Sequence, residues 1–216
     1  MPPLALFIEN LTRNPVLFFS WVFAVVLSVV LHELGHGVAA IWQGDETPRV
    51  SGHMTLDPMV HMGGFSLILL VVVGIAFGAM PVNPNAFRSR YGRAMVAFAG
   101  PAVNLILAFV SLTILGIWFK VGGVADGGVA ANFQQFFYLM GYLNFVLFAF
   151  NLLPIPPLDG STVLADLNRG FRAFISNPNN QPFFLGGFIL IFLFAGEVLF
   201  GWASGLADAY LQLFRG

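Results

Sequence analysis

Apolar residues come in long runs along this chain, and the polar ones gather between them. Four runs reach the roughly 20 residues that an α-helix needs to cross a bilayer: 15–42, 94–119, 133–153 and 183–202. A fifth, 65–80, has only 16 residues, with glycines at 74 and 78. No repeat or low-complexity tail interrupts the pattern, and nothing marks a second domain. Residues 1–216 are therefore expected to form one membrane-embedded domain.

Composition agrees with the pattern. Hydrophobic residues make up 58% of the chain and charged residues 9%, against about 25% charged in a soluble domain. Mean hydropathy is +0.84. The expected fold class is an all-α integral membrane protein, a polytopic helical bundle. The first run contains Val38-Ala39-Ala40, which resembles a signal-peptide cleavage site, but its apolar core is too long and is interrupted by His32, Glu33 and His36. A net charge of -1 with no basic stripe excludes nucleic-acid binding. With no cysteine there is no thiolate site, so any metal is held by His and carboxylate.

Three ionisable groups inside an apolar helix are costly and therefore candidates for function. They form His32-Glu33-Leu34-Gly35-His36. Residues four apart share a helix face, so both imidazoles can bind one zinc ion while Glu33 sits beside the nucleophilic water. The plainer reading is a pair of helix-facing histidines satisfied by neighbours. A third ligand is needed, and the candidates are His53, His61, Asp57, Asp126, Asp159 and Asp166. Asp159 stands out by its setting, "NLLPIPPLDGS" at 151–161. Pro154, Pro156 and Pro157 end the third long helix there. Irregular backbone at membrane depth survives only where protein or a water-filled cavity surrounds it. The competing reading is an Asp-Gly turn at the membrane surface.

These two motifs, with "FAGPAVNLILA" at 98–108 between them, resemble the site-2 protease family of intramembrane zinc metalloproteases. The resemblance runs from about Val29 to Leu164. It is closest to small prokaryotic members without PDZ or CBS domains, whose central stretch looks like "MPVNPNAFRSRYGRAMVAFAGP" at 80–101. It implies that His32, His36 and Asp159 bind zinc, that Glu33 activates the water and that Asn151 belongs to the loop lining the site. His61 stands where such members often have His, but Met62-Gly63-Gly64 replaces the acidic residue and proline that usually follow.

A metal shared by His36 and Asp159 constrains the topology. If 65–80 crossed the bilayer, Trp42 and Pro154 would lie on opposite faces, which ligands about 2 Å from one ion cannot do. A re-entrant hairpin at 65–80, followed later by the proline-broken active-site segment, puts Trp42, Arg88 and Pro154 on one face. That face carries Arg49, Arg88, Arg90, Arg93, Arg169 and Arg172, against Arg13, Lys120 and Arg215 on the other. The positive-inside rule makes it cytoplasmic, and the resemblance to small prokaryotic members implies the plasma membrane of a prokaryote.

The expected activity is hydrolysis of peptide bonds in or near transmembrane helices of membrane proteins, with the lipid bilayer as the surrounding partner. Oligomeric state is not legible. An unwound substrate is expected to pair as an added strand with an extended 152–158 stretch and strand-like segments in 47–57, while Asn151 donates to its backbone or to the developing oxyanion. Two alternatives remain. One is a zincin cleaving proteins at the bilayer surface, with Glu197 as third ligand; the other is a non-proteolytic zinc-binding carrier or chaperone, which has no use for Glu33. Elsewhere, Asn104 is expected to bond between helices and Gly100-Pro101 to permit close packing. The segment 161–175 reads as one interfacial helix anchored by its arginines. Glu197 reads as a polar contact facing the bundle.

Overall fold

The computed structural model describes residues 6–214, so Arg215 lies outside the described residues. Its helices are α1 (Asn10–Arg13), α2 (Pro15–Trp42), α3 (Thr47–Val50), α4 (Pro58–Val73), α5 (Gly92–Gly122), α6 (Gly128–Asn151), α7 (Asp159–Leu167), α8 (Arg169–Ser176) and α9 (Gln181–Gln212). No strand occurs among the described residues.

Helix α2 begins where its chemistry dictates. Asn14 accepts a hydrogen bond from the Leu17 amide at 3.1 Å, and Pro15 takes the first helical position, where its missing N–H costs nothing. Helices α2, α5 and α6 are each long and apolar enough to cross a membrane, and the segments Pro178–Ile191 and Gly196–Gln212, bent by 54°, together make a fourth candidate. This is a multi-pass membrane protein. Helix α5 packs most extensively on α6 and α2. One apolar cluster joins α2, α4 and α6 through Val25, Val29, Met62, Leu70 and Leu143. A second joins α5, α6 and α9 through Leu112, Leu115, Phe145 and Ala207.

The 65–80 segment does turn back. Helix α4 is kinked at Gly63 and ends at Gly74, whose φ of 87° turns the chain. From 64 to 73 the helix rises about 15 Å at 1.5 Å per residue, half the ~30 Å hydrocarbon thickness. The chain then returns without helical turns. Ser66 Oγ donates to the Phe77 carbonyl at 2.7 Å and accepts from its amide at 2.9 Å. Nearer the base, the Ala79 amide donates to the His61 carbonyl at 2.9 Å, while Trp21 Nε1 donates to the Gly74 carbonyl at the tip.

Further bonds tie the loop after α2 to the loop before α5, and α7 to α5. The Arg88 amide donates to the Gln43 carbonyl at 2.9 Å. Asp45 accepts from the amides of Thr47 at 2.9 Å and Asn83 at 2.6 Å. Burial alone would raise the Asp45 carboxyl, but hydrogen bonds from Thr47 and Asn83 outweigh it and hold the group below its ordinary range. Asp166 accepts from the Ala94 amide at 3.0 Å, in the first turn of α5.

Several expectations need correction. The segment 161–175 is two helices, because Asn168 leaves helical geometry and caps α8 by accepting from the Phe171 amide. Arg172 folds back onto Asp166 Oδ1 at 2.6 Å and the Ala165 carbonyl at 2.9 Å, so it ties α8 to α7 rather than reaching for lipid. Thr47–Val50 is helical. The 152–158 stretch is wound into tight turns by bonds such as Ile155 to Leu153 and Leu158 to Ile155, so neither segment offers an extended edge.

Candidate metal centre

Helix α2 carries His32, Glu33 and His36, all buried, into the interior of the bundle. The turns after α6 bring Asp159, first residue of α7, back against them. The two Nε2 atoms are 3.0 Å apart. Asp159 Oδ2 lies 3.2 Å from His32 Nε2, and its Oδ1 lies 3.5 Å from His36 Nε2.

Hydrogen bonds behind the rings determine what these nitrogens present. The Met140 carbonyl can only accept, so the Asn144 atom 2.8 Å from it is the amide nitrogen. That nitrogen also donates to Ser28 Oγ at 2.8 Å. Asn144 Oδ1 therefore faces Asn104 and accepts from its Nδ2 at 2.9 Å. Asn104 Oδ1 is left to accept from His32 Nδ1 at 2.6 Å. His36 Nδ1 in turn donates to the Val96 carbonyl at 2.7 Å. Both rings carry their proton on Nδ1, so two Nε2 lone pairs face each other beside a carboxylate. Such an arrangement is repulsive unless a cation lies among them.

Space for that cation comes from α5. A Cβ on Gly100 would fall 2.5 Å from His36 Nε2 and 2.6 Å from His32 Nε2. Zinc bonds imidazole nitrogen at about 2.0–2.1 Å, so the missing side chain leaves room for the ion itself. Two neutral imidazoles and one carboxylate are a donor set suited to zinc with a further position open.

The peptidase family M50 model matches residues 20–194. The chain belongs to peptidase family M50. This is the site-2 protease family of zinc metalloproteases. The M50 chain is 35% identical to "Putative zinc metalloprotease YwhC" of Bacillus subtilis (strain 168) over 198 residues, 89% of this chain and 90% of that protein. It is 32% identical to "Putative zinc metalloprotease Rip2" of Mycobacterium tuberculosis (strain ATCC 25618 / H37Rv) over 202 residues, 88% and 74% of the two chains. No solved structure matches. This M50 protein is a zinc metalloprotease with protein substrates and a membrane environment.

The other third-ligand candidates have different positions in the M50 fold. Asp57 caps α4 through the Met59 amide, and Asp166 ties α7 to α5. Asp126 is exposed between α5 and α6. His53 bonds Ser51, and His61 bonds the Thr55 carbonyl. Glu197 is exposed on α9 and is not among the three residues brought together, so it is neither a bundle-facing contact nor a ligand candidate. Asn151 donates to the Leu147 carbonyl one turn back at 3.0 Å and lines the cavity beside the metal centre.

Asn104 does bond between helices, to Asn144 of α6 and His32 of α2, but its place behind a metal ligand, and the parts played there by Ser28, Gly78, Gly100 and Asn144, were not legible from local pattern. The signal available was the presence of Ser28, Asn104 and Asn144 inside apolar helices, where all three are fully buried. Asn104→Leu should weaken zinc binding by about 10–100-fold in competition with a chelator, the usual cost of losing a partner behind a metal ligand. Unchanged affinity would remove Asn104 from the metal centre.

Proposed function

We propose that this M50 peptidase cuts peptide bonds in or near membrane-spanning helices, with His32, His36 and Asp159 holding zinc and Glu33 as general base. The reading covers residues 1–216 as one peptidase domain. The observation that carries it is where the metal-ligand cluster lies. His36 is six residues before the end of α2, or about 9 Å along the helix, and the cluster opens on an apolar cavity of about 1200 Å³ that reaches Phe188 and Phe200 of α9. That volume exceeds the ~300–1,000 Å³ of sites for small molecules and suits a length of polypeptide.

Held by these ligands, zinc supplies a Lewis acid that polarises the scissile carbonyl and makes water nucleophilic near neutral pH. Glu33 accepts the proton of the attacking water and returns it to the leaving amine. Asn151 keeps a second N–H for the substrate backbone or the developing oxyanion.

A helical substrate hides its carbonyls in its own hydrogen bonds, so it must unwind first. The returning arm 75–80 can receive it. Phe77 turns both backbone groups toward Ser66, and Ala79 turns its N–H toward His61. Gly78 between them lines the cavity, and the alternation of an extended strand would turn its backbone groups to the opposite side, where a substrate strand can pair. The arginines of the loops on this face support a cytoplasmic active site, and the bacterial origin of the relatives supports a prokaryotic plasma membrane.

Purified protein in lipid bilayers tests the reading. A reporter helix with Gly, Asn or Pro in its cytoplasmic third should be cut faster than an all-Leu one, because those residues favour the helix less. Mass spectrometry of the products should place the cut inside or just beside the apolar span. Cuts confined to soluble loops, or rates indifferent to helix stability, would replace this reading with a surface-acting metalloprotease.

A further inference from the structure

We propose that His61 is a positioning residue for Glu33, holding its carboxylate through one shared water molecule. This rests on the reading of Glu33 as general base. The His61 ring is 3% exposed. Its Nε2 lies 2.7 Å from the Thr55 carbonyl oxygen. A carbonyl only accepts, so Nε2 carries the proton and Nδ1 of the neutral ring presents a lone pair. No described residue donates to Nδ1, and among the described residues no other buried side-chain nitrogen or oxygen lacks a partner. His53 stands edge-on at 6.2 Å between ring centroids but directs its own Nδ1 to Ser51. If the His61 ring served packing alone, a carbon in place of Nδ1 would avoid the cost of burying an unpaired acceptor.

Glu33 also lacks a donor. The residue is 6% exposed, its carboxylate lines the cavity and takes no hydrogen bond from a described residue, and His61 lies within its electrostatic reach. The backbone joins the two groups closely. The Ala79 amide is bonded to the His61 carbonyl, and a Cβ on neighbouring Gly78 would fall 2.7 Å from Glu33 Oε1. Two acceptors cannot bond each other, but one water has two O–H donors and satisfies both. Tethered in this way, the carboxylate keeps one oxygen directed at the nucleophilic water. When Glu33 carries the transferred proton, the shared water donates to its other oxygen, so no net transfer passes through His61.

The full chain in bilayers, with a membrane-spanning reporter, tests this. His61→Phe keeps ring volume but removes the lone pair, and should lower kcat by about 10–100-fold with KM and zinc content unchanged. His61→Asn, which sets an amide oxygen near the Nδ1 position, should recover most of that loss. Unchanged kcat in His61→Phe would overturn the proposal, as would equal losses in both variants or a loss that follows KM or zinc. If His61→Phe does not fold, His61→Ala with added imidazole decides: a rise in kcat supports the tether and no response overturns it. Active His61 variants beside an inactive Glu33→Gln would sink this inference alone, whereas a fully active Glu33→Gln would sink the general-base reading beneath it.

Discussion

Glu33→Gln is expected to hold zinc as the unaltered protein does and to cleave a membrane-spanning reporter about 10²–10⁴-fold more slowly, the usual loss when a general base is removed. Glu33 lies between the two histidines in sequence, yet the three donors that converge are His32, His36 and Asp159. Its carboxylate instead lines the cavity beside them, against Gly78. Glutamine keeps the size and the planar end group that this close contact demands but cannot accept the proton. Zinc content by elemental analysis and the thermal transition should therefore match the parent while cleavage fails. Unimpaired cleavage in Glu33→Gln would count decisively against hydrolysis through this residue. Zinc loss in the variant would instead make Glu33 a ligand.

Gly100→Ala should lose nearly all bound zinc while its helices stay folded. The added methyl would lie within 2.6 Å of both Nε2 atoms, inside the volume that an ion about 2.0–2.1 Å from each nitrogen must occupy. The rings cannot swing aside cheaply, because Asn104 and the Val96 carbonyl hold their Nδ1 atoms at 2.6 and 2.7 Å. Alanine favours a helix over glycine by about 0.8–1.0 kcal/mol, so a folding defect is not the natural outcome for α5. Zinc per chain in the purified variant is the measurement. Stoichiometric zinc would mean that the ion sits on the side of the histidines away from α5, and the proposed ligand geometry would need rebuilding around Asp159.

Much of this site is legible in the sequence. The bounds of α2 follow from Asn14-Pro15 at its start. The i, i+4 spacing of His32 and His36 dictates a shared helix face whatever surrounds it. The hairpin at 65–80 was reached indirectly, since a metal shared by α2 and the post-α6 segment is compatible with only one side for both. The prolines at 154, 156 and 157 announced a break in helix but not its shape. Proline forbids the helical continuation and leaves the choice between strand and turn to the contacts around it; here Leu153, Ile155 and Leu158 close turns.

By itself the sequence determined the long helices, the membrane setting and the shared face of His32 and His36 on α2, because each follows from local spacing or hydropathy, and it singled out Asp159 among several candidate third donors by its proline-rich setting. Only the tertiary structure decided what stands behind and across from that face. Gly100 as the space for the ion, the chain from Met140 through Asn144 and Asn104 to His32, and Gly78 against Glu33 all depend on how far α5, α6 and the returning arm slide and rotate against α2. Helix-to-helix register is set by the sum of many small packing contacts spread over the whole bundle, and no local pattern of residues encodes that sum.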